Sequence, residues 1–441
     1  MRDFAVSDDP RVQAQLDRLE ALSVPQGRLG LDAIRALLDR LGNPHRAMPP
    51  VFHIAGTNGK GSTSAFLRYM LEADGKRVHQ FTSPHLVRYN ERIRLASELI
   101  SDAALAELLA EVIDAGEDVG ASFFEVTTAA AFLAFSRTPA DACVIEVGLG
   151  GRFDASNVLE HPAVCGIATL GMDHERFLLA PDDSAPAHPM ARIAFEKAGI
   201  AKPGVPLVTQ AYGPQAEDAI AAVAANKGCP LHMRGIDWHA QVAAGSIEYR
   251  DRHGVLTLPL PALPGVHQAD NAALAVAMLR HQDIVSVNRA ALAQGIVEAL
   301  WPARLQYLSE GPLTAMVAPA RVLLDGGHNP DAARVLAAYL AALDDKPHAI
   351  CAMLDNKDAR GFLTPLAPYL ASLTPVPIPG HAFHAPEYLA QVAGELGIAA
   401  HVASSVEDAL ARLSGRNKPV LICGSLYLAG TVLRANRELP D

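Results

Sequence analysis

Residues 51–63 read VFHIAGTNGKGST, and this stretch decides the fold of the first part of the chain. The apolar run Val51–Ala55 predicts a strand, the glycines after it predict a tight turn, and Ser62 begins a predicted helix. Backbone N–H groups of such a turn converge on anions, and Lys60 adds a positive charge there. The order of strand, glycine-rich loop and helix favours nucleotide phosphate binding over a plain turn with a solvated lysine.

The loop departs from the usual phosphate-binding pattern at one position. That pattern places a serine or threonine directly after the lysine, where the hydroxyl binds Mg²⁺. This chain has Gly61 there, and Ser62 and Thr63 come later. The metal ion therefore requires a ligand from another segment.

The composition is typical of a soluble protein with two or three domains. The chain has 441 residues, half of them hydrophobic. No apolar run reaches the ~18 to 20 residues of a membrane helix, and the first residues do not resemble a signal peptide, so we expect a cytoplasmic protein. A net charge of −11 disfavours nucleic acid or an anionic membrane as partner. The 5 cysteines are scattered without a CxxC pair, which disfavours a disulfide framework and a zinc site.

Apolar runs that alternate with amphipathic segments predict an α/β fold with parallel βαβ units. The predicted strands before residue 300 are Val51–Ala55, Ala142–Val147, Val164–Thr169 and Pro206–Thr209. The predicted helices there are Ser62–Ala73, Asp102–Asp114, Thr127–Ser136 and Asn271–His281, with a hairpin at 246–260 and a loop at 180–190. A second alternating block begins at Arg321, with strands predicted at 322–325, 349–353 and 420–423. We therefore place a domain boundary near residue 300.

Further polar clusters follow predicted strands, which is where open α/β sheets place their sites. Glu146 ends a strand, and a carboxylate in that position suits a magnesium ligand. Asp173 and His174 follow another strand and suit a metal ligand or an acid–base group. Asp325 and His328 follow a strand of the second block. Together the clusters predict a nucleotide held between two domains.

The segment FTSPHLVRYNERIRL offers a candidate for the missing metal ligand. Ser83 lies on a turn stiffened by proline, shortly after the helix of the phosphate-binding loop. Three arginines follow it, namely Arg88, Arg92 and Arg94. They fit either a basic site or a solvated face.

Several longer segments occur in a fixed order along the chain. They are GTNGKGS (56–62), TSPHL (82–86), FFE (123–125), EVGLGGRFDASN (146–157), DHE (173–175), EKAGI (196–200), HQADNAALA (267–275), WPARLQ (301–306), DGGHNP (325–330) and CGSLYLAG (423–430). In this order they resemble the folylpolyglutamate synthase and dihydrofolate synthase family of Mur-type ATP-dependent amide ligases. The resemblance implies a P-loop, Mur-ligase-like ATPase domain with a parallel-rich sheet at 1–299, which also binds the pterin. It implies a smaller, Rossmann-like α/β glutamate ligase domain at 300–441.

The resemblance also implies roles for individual residues. The nucleotide-binding residues would be Thr57, Asn58, Gly59, Lys60, Gly61, Ser62, Asn271, Arg304 and Asp325. The metal ligands would be Ser83, Glu146 and His174. The pterin-bearing substrate would contact Ser122, Phe123, Phe124, Glu125, Phe153 and Asp154. The catalytic residues would be Lys60, Glu146, His174, Lys197, Arg304 and His328, with Lys197 carbamylated by CO₂ to become an anion beside the second of two Mg²⁺ ions.

The activity that the resemblance implies is ATP-dependent addition of L-glutamate to dihydropteroate and to reduced folates by a monomeric enzyme. ATP would phosphorylate the substrate carboxylate, and the amine of glutamate would attack the acyl phosphate. No side-chain nucleophile is needed, in agreement with a sequence that has no recognisable Ser/His/Asp or Cys/His arrangement.

Two other functions are compatible with the same residues. One is a Mur-type or cyanophycin-type ligase acting on a substrate other than folate. The other is a P-loop NTPase switch, although the nearest match to a GTPase base-reading motif, at 355–358, has its acid one place too early.

The chain departs from the family pattern in two places. After DHERFL the family commonly has a glycine, whereas here Leu179 is followed by APDDSAPAHP. This difference predicts an altered loop near the metal. DGGHNP replaces the commoner DGAHNP, a change that should preserve the turn.

Overall fold

The computed structural model describes residues 6–22 and 30–440. Contacts divide the chain into two compact units. The first lies within residues 1–84, 88–262 and 268–300, and the second within residues 85–87, 263–267 and 301–441. The domain boundary that the sequence predicted, near residue 300, lies beside the division between residues 300 and 301. The functions assigned to the two domains remain predictions.

Eight strands form the main sheet of the first unit. They are β1 (Val51–Ala55), β2 (Val78–Phe81), β3 (Ile93–Leu95), β4 (Glu98–Leu99), β5 (Ala142–Glu146), β6 (Val164–Ile167), β7 (Leu207–Thr209) and β8 (Leu231–Met233). Their order is β4-β3-β2-β5-β1-β6-β7-β8, and all pairs are parallel except those that β3 makes. The loops after β2, β5, β1 and β6 therefore emerge side by side at one edge of the sheet.

Two smaller sheets complete the β-structure. An antiparallel sheet consists of β9 (Trp238–Ala243), β10 (Ser246–Asp251) and β11 (Gly254–Pro259). The sheet of the second unit consists of β12 (Gln306–Tyr307), β13 (Val322–Leu324), β14 (His348–Cys351), β15 (Ser372–Pro375) and β16 (Val420–Cys423). Its order is β12-β13-β16-β14-β15, and only β12 pairs in an antiparallel manner.

Helices connect most of these strands. Up to residue 300 they are α1 (Pro10–Glu20), α2 (Asp32–Arg40), α3 (Lys60–Ala73), α4 (Asp102–Gly116), α5 (Phe123–Arg137), α6 (Glu175–Leu178), α7 (Pro189–Ala198), α8 (Pro214–Lys227), α9 (His267–Arg280) and α10 (Arg289–Glu298). The later helices are α11 (Pro312–Ala315), α12 (Pro330–Leu340), α13 (Ala359–Leu366), α14 (Pro386–Glu395), α15 (Val406–Leu413) and α16 (Leu426–Asn436). Short 3₁₀ helices lie at Pro44–Arg46, Tyr89–Arg92, Ala155–Val158 and Ala367–Tyr369.

The central strands are buried throughout because the main sheet is covered on both faces. Successive side chains of a strand point to opposite faces, and every residue of β1 and of β5 is buried. Cys143 and Ile145 of β5 pack into a core cluster with α4 and α5, while α3 contacts the same strand. The continuous apolar runs that predicted these strands therefore report burial on both sides.

The predicted elements are confirmed with shifts at their ends, and several others were missed. The hairpin at 246–260 forms β10 and β11. The helix predicted from Thr127 begins at Phe123, because Ser122 caps it one residue earlier. β2 was missed because its middle residues, His79 and Gln80, are polar yet buried. The His79 ring bonds to Thr138 O at 2.9 Å and to the amide of Ala96 at 3.0 Å, which compensates for its burial.

Arg92 belongs to the interior rather than to a solvated face. It is 2% exposed, and its guanidinium lies 5.3 Å from the ring centre of Tyr89 and 5.8 Å from that of Phe123. The solvated-face interpretation is therefore wrong for this arginine.

All five cysteines are buried as free thiols. Within the described ranges, no helix combines the length and apolar character needed to cross a membrane.

Candidate active site

The glycine-rich loop joins β1 to α3 as the sequence predicted. Gly56 and Gly59 have φ angles of +153° and +83°, which side chains disfavour. Gly59 is the N-cap of α3, so the helix begins at Lys60, and its first N–H groups face the loop. The amides of Thr57 and Asn58 donate to Thr169 O at 2.8 and 3.2 Å, which ties the loop to the segment after β6. The result is a rigid turn at a helix N-terminus, a geometry suited to phosphate.

Two lysines converge on one carbonyl oxygen of this loop. Lys60 Nζ donates to Gly56 O at 3.1 Å, and Lys197 Nζ donates to the same oxygen at 2.8 Å. Lys197 is 3% exposed on α7. Its burial, and next the charge of Lys60, lower its pKa to about 7, although Asp173, Asp154 and Glu196 act in the opposite direction. Two amines this close favour a bound anion or the loss of one positive charge.

Asn271 lies directly against the loop. A Cβ atom built on Gly59 would stand 2.4 Å from Asn271 Oδ1, so only glycine fits that position without displacement. Asn271 Nδ2 donates to Gln268 Oε1 at 3.0 Å, one turn earlier on α9. Asp270 of the same helix forms an ion pair with Arg234 at 2.7 Å. The bond to Gln268 orients the Asn271 side chain, and the ion pair with Arg234 attaches the start of α9 to the segment after β8.

Two of the three predicted metal ligands are neighbours. Glu146 ends β5 and is 5% exposed, and its Oε2 accepts a hydrogen bond of 3.5 Å from the amide of Ser83, which follows β2. His174 follows β6, has a φ of 54°, and its Nε2 lies 4.0 Å from Asp173 Oδ2. The described residues contain no cluster of three or more His, Cys, Asp or Glu side chains suited to a metal. The predicted set has only two such residues, because its third ligand is the hydroxyl of Ser83.

The donor set fits Mg²⁺ in its chemistry. A buried carboxylate and a hydroxyl at a sheet edge supply the hard oxygen ligands that this ion prefers. Substrate phosphates and water normally complete its coordination. Glu146 and Ser83 would thus hold the ion beside the phosphate-binding loop, with His174 on the adjoining segment.

Two carboxylates that were predicted to bind substrate also cap the N-termini of helices. Glu125 Oε2 accepts hydrogen bonds from the amide and the hydroxyl of Ser122, at 2.8 and 2.7 Å, in a capping box at the start of α5. Asp154 accepts from the amides of Ser156 and Leu149, at 3.0 and 2.9 Å. Burial raises the pKa of Asp154 above its ordinary value. Caps of this kind are visible in sequence as Ser-x-x-Glu and as an acid before a short helix, and the sequence interpretation overlooked them.

Aromatic rings lie beside these carboxylates. A Cβ atom built on Gly148 would stand 2.3 Å from Cζ of Phe124, so the ring covers the glycine turn after β5. Phe123 packs against Tyr89 with ring centres 6.0 Å apart. Phe153 lies under the guanidinium of Arg152, 4.4 Å from its ring centre. Phe123, Phe124 and Phe153 are each partly buried, and their contact with substrate stays a prediction.

His53, Ser156 and Asp154 form a chain of hydrogen bonds, but its order does not activate the serine hydroxyl as a nucleophile. His53 Nε2 lies 2.8 Å from Ser156 Oγ, and that hydroxyl donates to Asp154 Oδ1 at 2.5 Å. The serine proton is thereby committed to the carboxylate, and Ser156 is fully buried. Burial lowers the pKa of His53 to about 3. The chain of bonds fixes the loop after β5 to β1.

The remaining predicted residues lie together in the second unit. Asp325 follows β13, and its two oxygens accept from the amides of Gly327 at 2.8 Å and Leu305 at 3.0 Å. The second bond holds the segment that carries Arg304, whose neighbours Ala303 and Leu305 have φ angles of 57° and 48°. His328 Nδ1 lies 3.0 Å from Gly326 O. Asp325 thus positions Arg304 by accepting a hydrogen bond from the backbone amide of the next residue, Leu305. The sequence did not suggest this role.

Comparison with known proteins places this arrangement in a family. A scan of protein-family models found no match. The dihydrofolate synthase/folylpolyglutamate synthase of Escherichia coli K12 is 34% identical over 421 residues, which cover 95% of this chain and 94% of that protein. The chain belongs to the dihydrofolate synthase/folylpolyglutamate synthase family. The family, the ligase activity and the α/β fold class predicted from the sequence are thereby confirmed.

Two solved folate-ligase structures have closely similar folds. The structure of E. coli FolC in complex with DHPP and ADP has a TM-score of 0.84 and 33% identity, and covers 97% of both chains. A bifunctional folylpolyglutamate synthase/dihydrofolate synthase with Mn, AMPPNP and L-glutamate bound has a TM-score of 0.82 and 32% identity, over 96% of this chain and 97% of the other. The first of these proteins binds DHPP and ADP, and the second binds Mn, AMPPNP and L-glutamate.

Proposed function

We propose that this chain adds L-glutamate to dihydropteroate, forming dihydrofolate, and to reduced folates, using ATP and Mg²⁺. The observation that supports this most directly is the convergence of Lys60 and Lys197 on Gly56 O, at 3.1 and 2.8 Å, within a phosphate-binding loop. The relatives named for both activities support the choice of substrates. We also propose that the enzyme acts as a cytoplasmic monomer.

Charge determines the first step of the reaction. A carboxylate is a poor acyl donor, and it is repelled by the γ-phosphate that it must attack. Lys60 and the first amides of α3 would offset that repulsion and orient the phosphate. Mg²⁺ held by Ser83, Glu146 and His174 would supply Lewis-acid neutralisation of the phosphate charge. The bond between the γ-phosphate and ADP breaks, so the products of the step are an acyl phosphate and ADP.

The second step needs no side-chain nucleophile. The neutral amine of glutamate attacks the acyl carbon, and inorganic phosphate leaves from the tetrahedral intermediate. Arg304 would stabilise the transferring phosphoryl group in the first step, with Asp325 positioning it and His328 close by in the chain. Asn271, packed on Gly59, would contact the nucleotide.

Lys197 has the properties that carbamylation requires. The reaction with CO₂ uses the neutral amine and forms an N–C bond, with loss of one proton. A buried lysine whose pKa is lowered to about 7 is half neutral near pH 7. Conversion to a carbamate would replace one of the two converging positive charges with a negative one.

The proposal can be tested with purified protein, ATP, Mg²⁺ and L-glutamate. Dihydropteroate and tetrahydrofolate are offered separately, and ADP release is measured together with the incorporation of labelled glutamate. We expect ADP and glutamate conjugate in equal amounts with each acceptor. The proposal would be refuted if ADP were released without formation of the glutamate conjugate. It would also be refuted if neither dihydropteroate nor tetrahydrofolate supported any turnover.

A pair of lysine variants relates the activity to the loop. Lys60→Ala should abolish turnover, because the charge at the phosphate site is lost. Lys76→Ala is the matched control, since Lys76 lies beyond the other end of α3 in an ion pair with Asp74. The control should retain activity near that of the unaltered protein.

A further inference from the structure

Arg152 connects two segments that are distant in sequence. Its Nη2 lies 2.5 Å from Asp182 Oδ2 and 2.7 Å from Glu196 Oε1, and its Nε lies 3.2 Å from Glu196 Oε2. The side chains of Arg152, Asp182 and Glu196 are 21%, 7% and 10% exposed. These ion pairs are therefore largely shielded from water, where truncating one partner has larger effects than at an exposed surface.

Each partner of Arg152 belongs to a different part of the site. Glu196 is the residue before Lys197 on α7. Asp182 belongs to the altered loop between α6 and α7, which contains no helix or strand over residues 179–188. The guanidinium also lies 4.4 Å from the ring centre of Phe153 and 4.8 Å from that of Phe195.

The backbone next to Arg152 is packed too tightly to adjust. Its amide donates to Glu196 O at 2.7 Å. A Cβ atom built on Gly199 would stand 2.4 Å from Cβ of Arg152, and one built on Gly151 would stand 2.8 Å from Glu196 O. Because the backbone is fixed, the direction of the Arg152 side chain depends on the carboxylates that it meets.

Asp182 is well placed to set that direction. Its Oδ1 accepts from the amide and the hydroxyl of Ser184, at 3.0 and 2.6 Å, which leaves Oδ2 directed at Arg152. The loop is held further by Arg192, which donates to Leu178 O at 2.9 Å and to Ala180 O. The attachments of the loop are thus polar, and one of them ends on the arginine beside Phe153.

We infer that Asp182 is a positioning residue, which through Arg152 orients Phe153 for the pterin-bearing substrate and couples the 179–188 loop to the helix that carries Lys197. This inference rests on the proposed function for the identity of the substrate. Without the Asp182 carboxylate, Arg152 keeps Glu196 and a hydrogen bond of 3.4 Å from its Nη1 to the neutral hydroxyl of Ser184, and its guanidinium swings away from the Phe153 ring. The pterin subsite loosens, whereas the nucleotide subsite around Lys60 and Asn271 is untouched.

The test compares two neighbouring aspartates. Asp182→Asn should raise KM for dihydropteroate about tenfold, with less than a threefold change in KM for ATP and in kcat. Asp183→Asn is the matched control, because Asp183 is exposed in the same loop, and it should leave all three constants unchanged. Asp182→Glu keeps the charge and should restore most of the dihydropteroate affinity, which a general loss of stability would not allow.

A second readout is independent of catalysis. Hydrogen exchange of the amides at 179–188 should be several-fold faster in Asp182→Asn than in the unaltered protein or in Asp183→Asn. In the unaltered protein the same amides should exchange modestly faster at 1 M salt than at 0.1 M, since the guanidinium side of the ion pair is 21% exposed and salt screens it in part. Even if Asp182→Asn fails to fold, this salt dependence and the Asp182→Glu variant still test the inference.

Two patterns of results would overturn the inference. One is unchanged exchange of the loop in Asp182→Asn and at high salt. The other is an equal rise of KM for dihydropteroate and ATP, which would indicate general damage. If the unaltered protein conjugates glutamate to neither acceptor, the proposed function fails, whereas loop exchange still reports on the link between Asp182 and Arg152.

Discussion

The amine of Lys197 lies 2.8 Å from the carbonyl oxygen of Gly56, and the two residues are 141 positions apart in the chain. Lys60 donates to the same oxygen. The loop that is expected to hold phosphate therefore faces a buried amine from α7. The chemistry of that amine depends on its charge, and its charge depends on pH.

Activation by CO₂ should follow the neutral fraction of Lys197. With a pKa of about 7, that fraction rises from about one tenth at pH 6 to about nine tenths at pH 8. Protein depleted of CO₂ should regain activity about ten times faster at pH 8 than at pH 6, at constant dissolved CO₂. Lys197→Arg stays cationic and should show no activation, and full activity of the depleted protein would exclude a carbamate from the mechanism.

Gly59→Ala should weaken nucleotide binding. The new Cβ would stand 2.4 Å from Asn271 Oδ1, so the start of α9 must move away from the loop. We expect KM for ATP to rise at least tenfold, measured by steady-state kinetics. Gly75→Ala is the control for backbone strain, because Gly75 has a similar φ of +78° and nothing within 4 Å of its Cβ position. Equal effects of both variants on ATP binding would contradict the role of Asn271.

Gly148→Ala should weaken the binding of dihydropteroate. Its Cβ would stand 2.3 Å from Cζ of Phe124, which forces the ring off the turn after β5. The expected result is a rise of about tenfold in KM for dihydropteroate, with KM for ATP little changed. Gly394→Ala, where nothing lies within 4 Å of the Cβ position, should leave both constants unaltered. A normal dihydropteroate KM in Gly148→Ala would show that the ring position is not used.

The stability of the protein should fall in acid partly because of His53. Burial lowers its pKa from 6.5 to about 3 in the folded state, so below pH 6.5 the unfolded chain binds a proton that the folded chain does not. The contribution is fully present above pH 6.5 and is lost as the pH falls towards 3, by roughly 2–3 kcal/mol at pH 4.5.

A variant isolates this contribution. His53→Gln keeps a donor for Ser156 Oγ but does not titrate, so its free energy of unfolding, measured with urea, should depend less on pH between 6.5 and 4.5. His401→Gln is the control, because His401 is exposed. The same slope in both variants and in the unaltered protein would disprove the assignment.

The local parts of the site were predictable from the sequence. The phosphate-binding loop, the acid at the end of β5 and the turn at Asp325 each depend on a few consecutive residues. Their glycines, their lysine and their position after an apolar strand are all visible in the chain. The capping box of Ser122 and Glu125 was equally local. The sequence interpretation assigned both residues to substrate binding and overlooked their structural role.

The sequence by itself determined the α/β alternation, the glycine-rich loop between β1 and α3 and the family, since backbone propensity, hydrophobic period and motif order are properties of neighbouring residues. Only the tertiary structure decided which charged groups meet. The approach of Lys197 to Gly56, of Asn271 to Gly59 and of Asp182 to Arg152 depends on how α7, α9 and their loops pack against the main sheet. Burial and charge at those contacts set the pKa of Lys197, and no local pattern specifies either quantity.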